Sequence, residues 1–545
     1  MSTAAPIQDD ARETVDAVVV GAGFAGMYML HRLREQGLTV RVFETGDDVG
    51  GTWYWNRYPG ARCDVESMEY SYQFDDALQQ SWHWKERYSP QPDILDYCRH
   101  VAERYDLRRD IRFEHRVSAA HFDDGSRRWQ VTAEGPEGAV HVTARFVVMA
   151  TGCLSVPIEP DIAGREAFGG EVFHTGRWPH EGVDFSGKRV AVIGTGSSAI
   201  QAIPHIAEQA EQLTVYQRTP NHSVPAHNGP LDGDLEARIK AAYEDFRARN
   251  AQEVLGFGAR HPMNPGSALE ATEAEFDLLM EHFWGLGGLL FIRAAADMGT
   301  NKEANDRVSD FVRRKIAEAV DDPAVAEKLM PWTPFGCKRP CADTGYFETY
   351  NRPNVELLDA SEAPIEAITE RGVRTSVDER EFDAIVFATG FDAMTGALSR
   401  IDIRGRDGVR LTDRWAAGPR TYLGLQSVGF PNLFTITGPG SPSVLTNMLP
   451  SIEQHVRFIG DAIAELDARG LATIEPTQAA QDEWVDHVNE IADMTLYPTC
   501  NSWYLGANVP GKPRVFMPYL GFPAYCEICD DVVANGYRGF ARSNG

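Results

Sequence analysis

Two places in this 545-residue chain repeat one local pattern, and that repetition constrains the fold more than any other feature. Asp16-Ala-Val-Val-Val20 runs into Gly21-Ala-Gly-Phe-Ala-Gly26, then a helical stretch and a second apolar run, Leu38 to Phe43. Arg189-Val-Ala-Val-Ile193 runs into Gly194-Thr-Gly-Ser-Ser-Ala199, then a helical stretch and Leu213-Thr-Val-Tyr216. Strand, glycine-rich turn, helix and strand, in that order, open a doubly wound dinucleotide-binding unit. The glycines allow the tight turn, the close approach of a pyrophosphate and helix–strand packing, while the helix N-terminus faces the phosphates. Two such units predict an α/β protein with two Rossmann-like dinucleotide-binding domains.

The two turns differ in what closes them. Glu44 ends the second strand of the first unit, where an acid bonds ribose hydroxyls, so Gly21, Gly23, Gly26 and Glu44 form one candidate nucleotide site. The second unit, with Gly194, Gly196, Ser197 and Ser198 in its turn, ends instead in Gln217-Arg218-Thr219. A guanidinium matches phosphate in bidentate fashion, so Arg218 and Thr219 favour NADPH over NADH. Two further apolar strands, Phe146 to Gly152 and Ala384 to Gly390, both end in Ala-Thr-Gly and mark expected crossings between domains. Between them, residues 226–332 are charged, show helical periodicity and contain no Rossmann-like strand, which predicts a helical insertion.

Composition narrows the partners. With 52 basic and 79 acidic residues the formal charge is −27, which repels phosphate backbones and anionic lipid. Neither nucleic acid nor membrane is expected as a partner, and an anionic ligand must meet a local basic pocket. The apolar stretch Phe283 to Ile292 is far shorter than the ~20 residues a bilayer span requires. The N-terminal MSTAAPIQDDARET lacks the basic-then-apolar order of a signal peptide, and eight cysteines in so long a chain are no disulfide framework. A reducing cytoplasm is the expected location. Cys526-Glu-Ile-Cys529 lacks the second pair a zinc site needs and reads as two ordinary cysteines; no metal is expected.

Two longer runs carry the chemistry. Gly50-Gly51-Thr52-Trp53 through Tyr58-Pro59-Gly60 to Asp64 interleaves aromatics with Arg57 and Arg62, a loop suited to covering a flavin ring and excluding water. Read on residue type alone, it is equally an aromatic core loop with Asp64 as a turn cap. Phe168-x-Gly170-x-x-x-His174-x-x-x-Trp178-Pro179 lies just before the second turn. No obvious base accompanies His174, so it reads as an interior histidine. This run, placed between two dinucleotide turns, resembles the fingerprint of the type I Baeyer–Villiger monooxygenases. Gly51-x-Trp53…Tyr58-Pro59-Gly60…Asp64 resembles that family's second signature. The similarity continues through Cys337-Lys-Arg-Pro, Asp343 to Asn351, Gly438 to Leu445 and Asn501 to Asn508.

The resemblance implies bound FAD, NADPH as reductant and O2 as co-substrate. It implies insertion of one oxygen atom beside a ketone carbonyl through a flavin C4a-peroxide, giving an ester or lactone. It assigns Arg339 as catalytic cation with Asp64 as its carboxylate partner, Lys338, Arg218 and Thr219 to the 2′-phosphate, and Gly51, Thr52, Trp53 and Asp64 to the cofactor side. Trp503 falls between nicotinamide and substrate, and Ser443, Val444 and Leu445 line the substrate pocket. The matching domain division is 1–152 for the first part of an FAD domain, 153–225 and 333–380 for an NADP domain, 226–332 for the helical insertion, and 381–545 for the second FAD part with the pocket loops. A monomer or weak homo-oligomer is expected. The rival enzymatic reading is a flavin monooxygenase acting on nitrogen or sulfur nucleophiles. Further rivals are a disulfide reductase using Cys526 or Cys529 and a flavin-containing scaffold without turnover.

Overall fold

The computed structural model describes residues 13–544, so the N-terminal segment read for a targeting signal falls outside them up to Arg12. Two parallel-centred sheets organise the described chain. In the first, the spatial order is Asp402–Arg404, Arg116–Asp123, Arg128–Gly135, Gly138–Met149, Glu13–Val20, Val40–Phe43 and Ile111–Arg112. Its pivot is the long strand Gly138–Met149. The first half pairs antiparallel with Arg128–Gly135, and the second half pairs parallel with Glu13–Val20 on one side and Leu433–Thr435 on the other. Residues 17–20 are all buried because a central parallel strand is covered on both faces, and the unbroken run Ala-Val-Val-Val reflects that.

The helix Phe24–Glu35 covers one face of this sheet and is itself covered by the 22-residue helix Met448–Arg469. Gly460 permits that approach: a Cβ there would sit 3.0 Å from Arg32 Cγ. Arg32 and Asp461 pair across the same contact at 3.0 Å.

The second sheet is parallel throughout, in the order Val355–Asp359, Gln212–Gln217, Arg189–Ile193, Ala384–Phe387 and Glu171–His174. This corrects the boundary read at residue 380. Ala384–Phe387 registers with Val190–Ile193 and so belongs to the second nucleotide unit, not to the segment that returns to the first. An apolar strand ending in Ala-Thr-Gly fits either sheet, and only pairing decides which. Between the two halves of this unit lie the helices Gly233–Ala241, Tyr243–Ala251, Glu273–Leu286, Lys302–Ala319 and Pro323–Leu329. Glu273–Leu286 starts in a capping box, with Thr272 and Glu275 each satisfying the other's backbone N–H. Among the described residues no helix is long and apolar enough to cross a membrane.

A candidate active site between two dinucleotide units

The two glycine turns are built alike. Gly21 has φ 103°, and a Cβ on it would lie 2.5 Å from the carbonyl oxygen of Ala150; Gly194 has φ 112°, and its Cβ would lie 2.5 Å from that of Ala388. Each turn is therefore pressed against the alanine of an Ala-Thr-Gly strand end, which gives those repeated ends a physical reason. A Cβ on Gly26 would collide with the Gly21 carbonyl. Gly23 faces Gly51, its would-be Cβ 3.3 Å from Gly51 Cα, so the first turn and the aromatic loop meet glycine to glycine.

Both helix N-termini are free of side-chain caps. Gly23 precedes Phe24–Glu35 and Gly196 precedes Ser197–Gln209, and neither helix has a capping hydrogen bond from that residue's side chain. Uncapped first-turn N–H groups are donors for an anion. A Cβ on Gly196 would meet nothing within 4 Å, so this turn opens into space. Glu44, 6% exposed, accepts N–H bonds from Ala22 at 2.7 Å and Gly46 at 2.8 Å. Burial raises its pKa while those N–H groups act in the opposite sense. These features fit one dinucleotide at each turn.

Beside the second turn the basic residues gather. Lys338 is held below the usual lysine range by burial and by the nearby charge of Arg218. The Thr219 carbonyl accepts from the Thr195 hydroxyl at 3.1 Å, which anchors the Arg218-Thr219 segment to the turn. Two cations held close together make a local basic patch in an otherwise acidic protein. Ser197 is exposed at the helix start, its hydroxyl 3.1 Å from Cys341 Sγ, and Ser198 is half-buried.

The geometry converges on Arg339. Its Nε donates to Asp64 Oδ2 at 2.6 Å and its Nη2 to Asp64 Oδ1 at 2.9 Å, a two-pronged pair between residues 275 positions apart. Nη1 donates to the Val444 carbonyl at 2.8 Å. Burial alone would lower the pKa of Arg339, but the charge and hydrogen bonds of Asp64 outweigh it and the guanidinium is held above its ordinary range. The side chain keeps 23% of its surface open. The pairing carries Asp64 beyond the turn-cap reading. Val444 contributes through its backbone carbonyl, and Ser443, Val444 and Leu445 form a buried 3-10 turn.

The remaining candidates divide. Trp53 is buried and its Nε1 donates to the Tyr70 hydroxyl at 3.2 Å, while Thr52 is exposed at the start of the short helix Thr52–Trp55. Trp503 is partly buried on the turn Trp503–Leu505 and tilts against Tyr504, ring centres 4.2 Å apart. Sequence reasoning passed over Tyr504, which is 1% exposed. Its phenol is pushed well up by burial and by Tyr497, with Arg339 acting in the opposite direction. Its position next to Trp503 in Asn501-Ser-Trp-Tyr was the available signal.

The fingerprint residues serve the second sheet. His174 Nδ1 accepts the Gly176 N–H at 3.0 Å, so Nε2 carries the proton toward Ile158 O and Thr389 Oγ1, at 3.2 and 3.1 Å. It thus ties the strand Glu171–His174 to the second Ala-Thr-Gly end, and burial lowers its pKa. Phe168 and the Asp383 carbonyl crowd Gly170, Trp178 packs on Phe173 and Phe185, and the Pro179 carbonyl accepts the Gly182 N–H. Among the described residues one disulfide is present, joining Cys337, beside Lys338 and Arg339, to Cys500. Cys526 and Cys529 are free thiols on the helix Phe522–Ala534.

Two glycine-rich dinucleotide turns of like build, the second flanked by cations, define a flavin- and pyridine-nucleotide-dependent oxidoreductase. A family model described as pyridine nucleotide-disulphide oxidoreductase matches residues 18–257. A Baeyer–Villiger monooxygenase from Pseudooceanicola batsensis is 43% identical over 98% of both chains. A phenazine N-monooxygenase from Lysobacter antibioticus is 40% identical over 98% of both. The solved structure of an oxidized steroid monooxygenase bound to NADP superposes with a TM-score of 0.93, at 53% identity, covering 98% of this chain and all of that one. The chain belongs to the Baeyer–Villiger monooxygenase family, and it is an FAD- and NADPH-dependent enzyme.

Proposed function

We propose that the enzyme inserts one oxygen atom from O2 beside the carbonyl of a small-molecule ketone, giving an ester or lactone, with Arg339 as the catalytic cation and Asp64 as the carboxylate that aims it. The observation that carries this reading is the bidentate Arg339–Asp64 pair with its third anchor on the Val444 carbonyl. When bound, FAD reduced by NADPH supplies the activated oxygen.

The protein's part is electrostatic. Three hydrogen bonds fix the guanidinium, leaving N–H groups on Nη1 and Nη2 without a partner among the described residues. Those groups stabilise the negative charge that develops on the ketone's carbonyl oxygen as its carbon becomes tetrahedral, and a preorganised donor needs no reorganisation at that moment. Arginine stays protonated, so it holds an anion without surrendering a proton to it. Ser443, Val444 and Leu445 shape the pocket wall, and Trp503 with buried Tyr504 excludes water on the far side.

Gly21, Gly23, Gly26, Glu44, Gly51, Thr52 and Trp53 hold the flavin dinucleotide. Gly194, Gly196, Ser197 and Ser198 hold the nicotinamide dinucleotide, with Lys338, Arg218 and Thr219 on its 2′-phosphate. Residues 13–152 and the segment after the strand Ala384–Phe387 form the FAD domain. The second sheet forms the NADP domain, and residues 226–332 are its helical insertion. The enzyme works in the cytoplasm as a monomer or weak homo-oligomer. A panel of ketones with product identification, run beside NADPH consumption, tests the reaction. Oxidation of nitrogen or sulfur substrates with no ester from any ketone overturns it in favour of heteroatom oxygenation.

A further inference from the structure

Behind the Val444 carbonyl that anchors Arg339 lies a buried polar chain that the reaction as described does not use. Three non-glycine residues with left-handed backbone meet around Cys153: Met394 at φ 65°, Thr437 at φ 56° and Ser443 at φ 43°. For a β-branched residue such as Thr437 this conformation is an outlier, and it persists only where the surroundings over-determine it. The Met394 N–H bonds to the Cys153 carbonyl at 2.8 Å. Ser443 Oγ bonds to the Thr437 carbonyl at 3.2 Å and lies 3.0 Å from Cys153 Sγ. The next carbonyl along the chain, that of Val444, is the one Arg339 holds.

Thr437 is held from outside the loop by two side chains, Cys153, whose Sγ donates to the Thr437 carbonyl at 3.3 Å, and His455. His455, fully buried on the helix Met448–Arg469, accepts the Thr437 N–H on Nδ1 at 2.9 Å. Its Nε2 lies 2.9 Å from the Tyr525 hydroxyl, which donates its only proton to the Leu423 carbonyl at 2.7 Å. The hydroxyl must therefore accept from His455, so Nε2 carries the proton and Nδ1 is the acceptor the Thr437 N–H needs. The direction of each bond from Thr437 through His455 and Tyr525 to Leu423 is fixed without reference to charge. Burial also pushes the pKa of His455 down to about 3, which keeps the ring neutral.

We propose that His455, locked by Tyr525 as the neutral Nε2–H tautomer, is a positioning residue. It pins Thr437, and through Ser443 it sets the Val444 carbonyl that aims the Arg339 guanidinium. The proposal rests on Arg339 being the catalytic cation. Leucine at 455 keeps bulk but offers no acceptor, whereas the Asn side-chain oxygen can take the place of Nδ1. In the flavin-loaded enzyme, His455→Leu is expected to lower kcat for ester formation roughly 10- to 100-fold, the scale of loss for displacement of a catalytic group by about 1 Å. The ketone KM should change little, and NADPH consumption should continue with less ester formed per NADPH. His455→Asn is expected to recover most of the coupling.

Histidine 15N NMR on the wild-type enzyme supplies a readout independent of turnover and of the variant's folding. The His455 ring, assigned by the signal missing from His455→Asn, should be neutral, protonated on Nε2 and should not titrate between pH 5 and 8. A proton on Nδ1, or titration of this ring in that range, overturns the proposal. A His455→Leu enzyme that melts lower but keeps wild-type kcat and coupling overturns it too. If Arg339→Ala also proves harmless, the catalytic assignment itself has failed; if Arg339→Ala abolishes ester while His455→Leu does not, only the positioning role has.

Discussion

Replacing Arg339 with alanine should separate reduction of the flavin from insertion of oxygen. Hydride transfer from NADPH needs two aligned rings and no oxyanion, so it should survive. Ester formation needs the fixed cation. Loss of one preorganised donor costs about 2.7–4 kcal/mol, or two to three orders of magnitude in rate. The geometry makes that a lower bound. Asp64 is bound to two nitrogens of Arg339 at 2.6 and 2.9 Å, so the variant leaves its carboxylate facing the site unpaired. Two like charges about 4 Å apart repel by about 4 kcal/mol at the effective dielectric typical of such sites. Half-exposed surroundings screen part of this, since Asp64 keeps 27% of its side-chain surface open.

The repulsive part can be measured by itself. Adding Asp64→Asn to Arg339→Ala removes the stranded charge, so the double variant should make ester faster than Arg339→Ala alone, by roughly tenfold. Asp64→Asn in the presence of Arg339 should instead slow the enzyme, because the fork loses its charged partner. Such a reversal is strong coupling between neighbours. Lysine at 339 should rescue poorly, being a point charge without the planar fork. The assay pairs anaerobic flavin bleaching by NADPH with aerobic measurement of ester, NADPH and hydrogen peroxide on one good ketone. Arg339→Ala should bleach, consume NADPH slowly and release hydrogen peroxide. Ester formation by that variant at near wild-type rate would falsify the catalytic assignment.

Other outcomes follow from particular residues. Gly196→Val should yield a folded, yellow protein with wild-type Tm and a strongly raised NADPH KM, because its Cβ meets no protein atom but fills the phosphate approach; Gly26→Val, which collides with the Gly21 carbonyl, should give no flavin-loaded protein, and recovery of a yellow one would refute the close-packed turn. Arg218→Ala should raise the NADPH KM by one to two orders of magnitude, since a charge-assisted bond is worth roughly 1.5–3 kcal/mol, and equal losses with NADH would count against a phosphate role. Lys338 titrates below an ordinary lysine, so kcat/KM for NADPH should fall on the alkaline side earlier than an unperturbed lysine dictates, and Lys338→Arg should move that fall to higher pH. Burial raises Glu453 to about 7, opposed by the Gln73 N–H and by Arg247 and Arg457. Its raised pKa makes the native state more stable below the unfolded carboxylate value and costs stability as pH rises through 7. Glu453→Gln should therefore stabilise the protein at pH 8, by up to about 3 kcal/mol, and lose that advantage near pH 4, read as the difference in Tm at the two values.

The glycine turns, their strands and the helices after them were legible from sequence, because a residue forced to φ near 100°, an apolar run and a helical period are all properties of a few adjacent positions. The choice of NADPH was legible for the same reason, as Arg218 and Thr219 immediately follow a strand. The residues by themselves left Asp64 between a turn cap and a flavin loop, and only resemblance joined it to Arg339. The structure makes that join at 2.6 and 2.9 Å across 275 residues. Neither the home sheet of Ala384–Phe387 nor the approach of Cys337 to Cys500 had any local sign. The Val444 carbonyl could not be read at all, since every residue owns a carbonyl and only the left-handed turn at Ser443 aims this one. Local sequence sets which backbone shapes each short segment can adopt. Which distant segments then meet is decided by the joint burial of two cores and by the hydrogen bonds that buried polar groups such as His455 must complete.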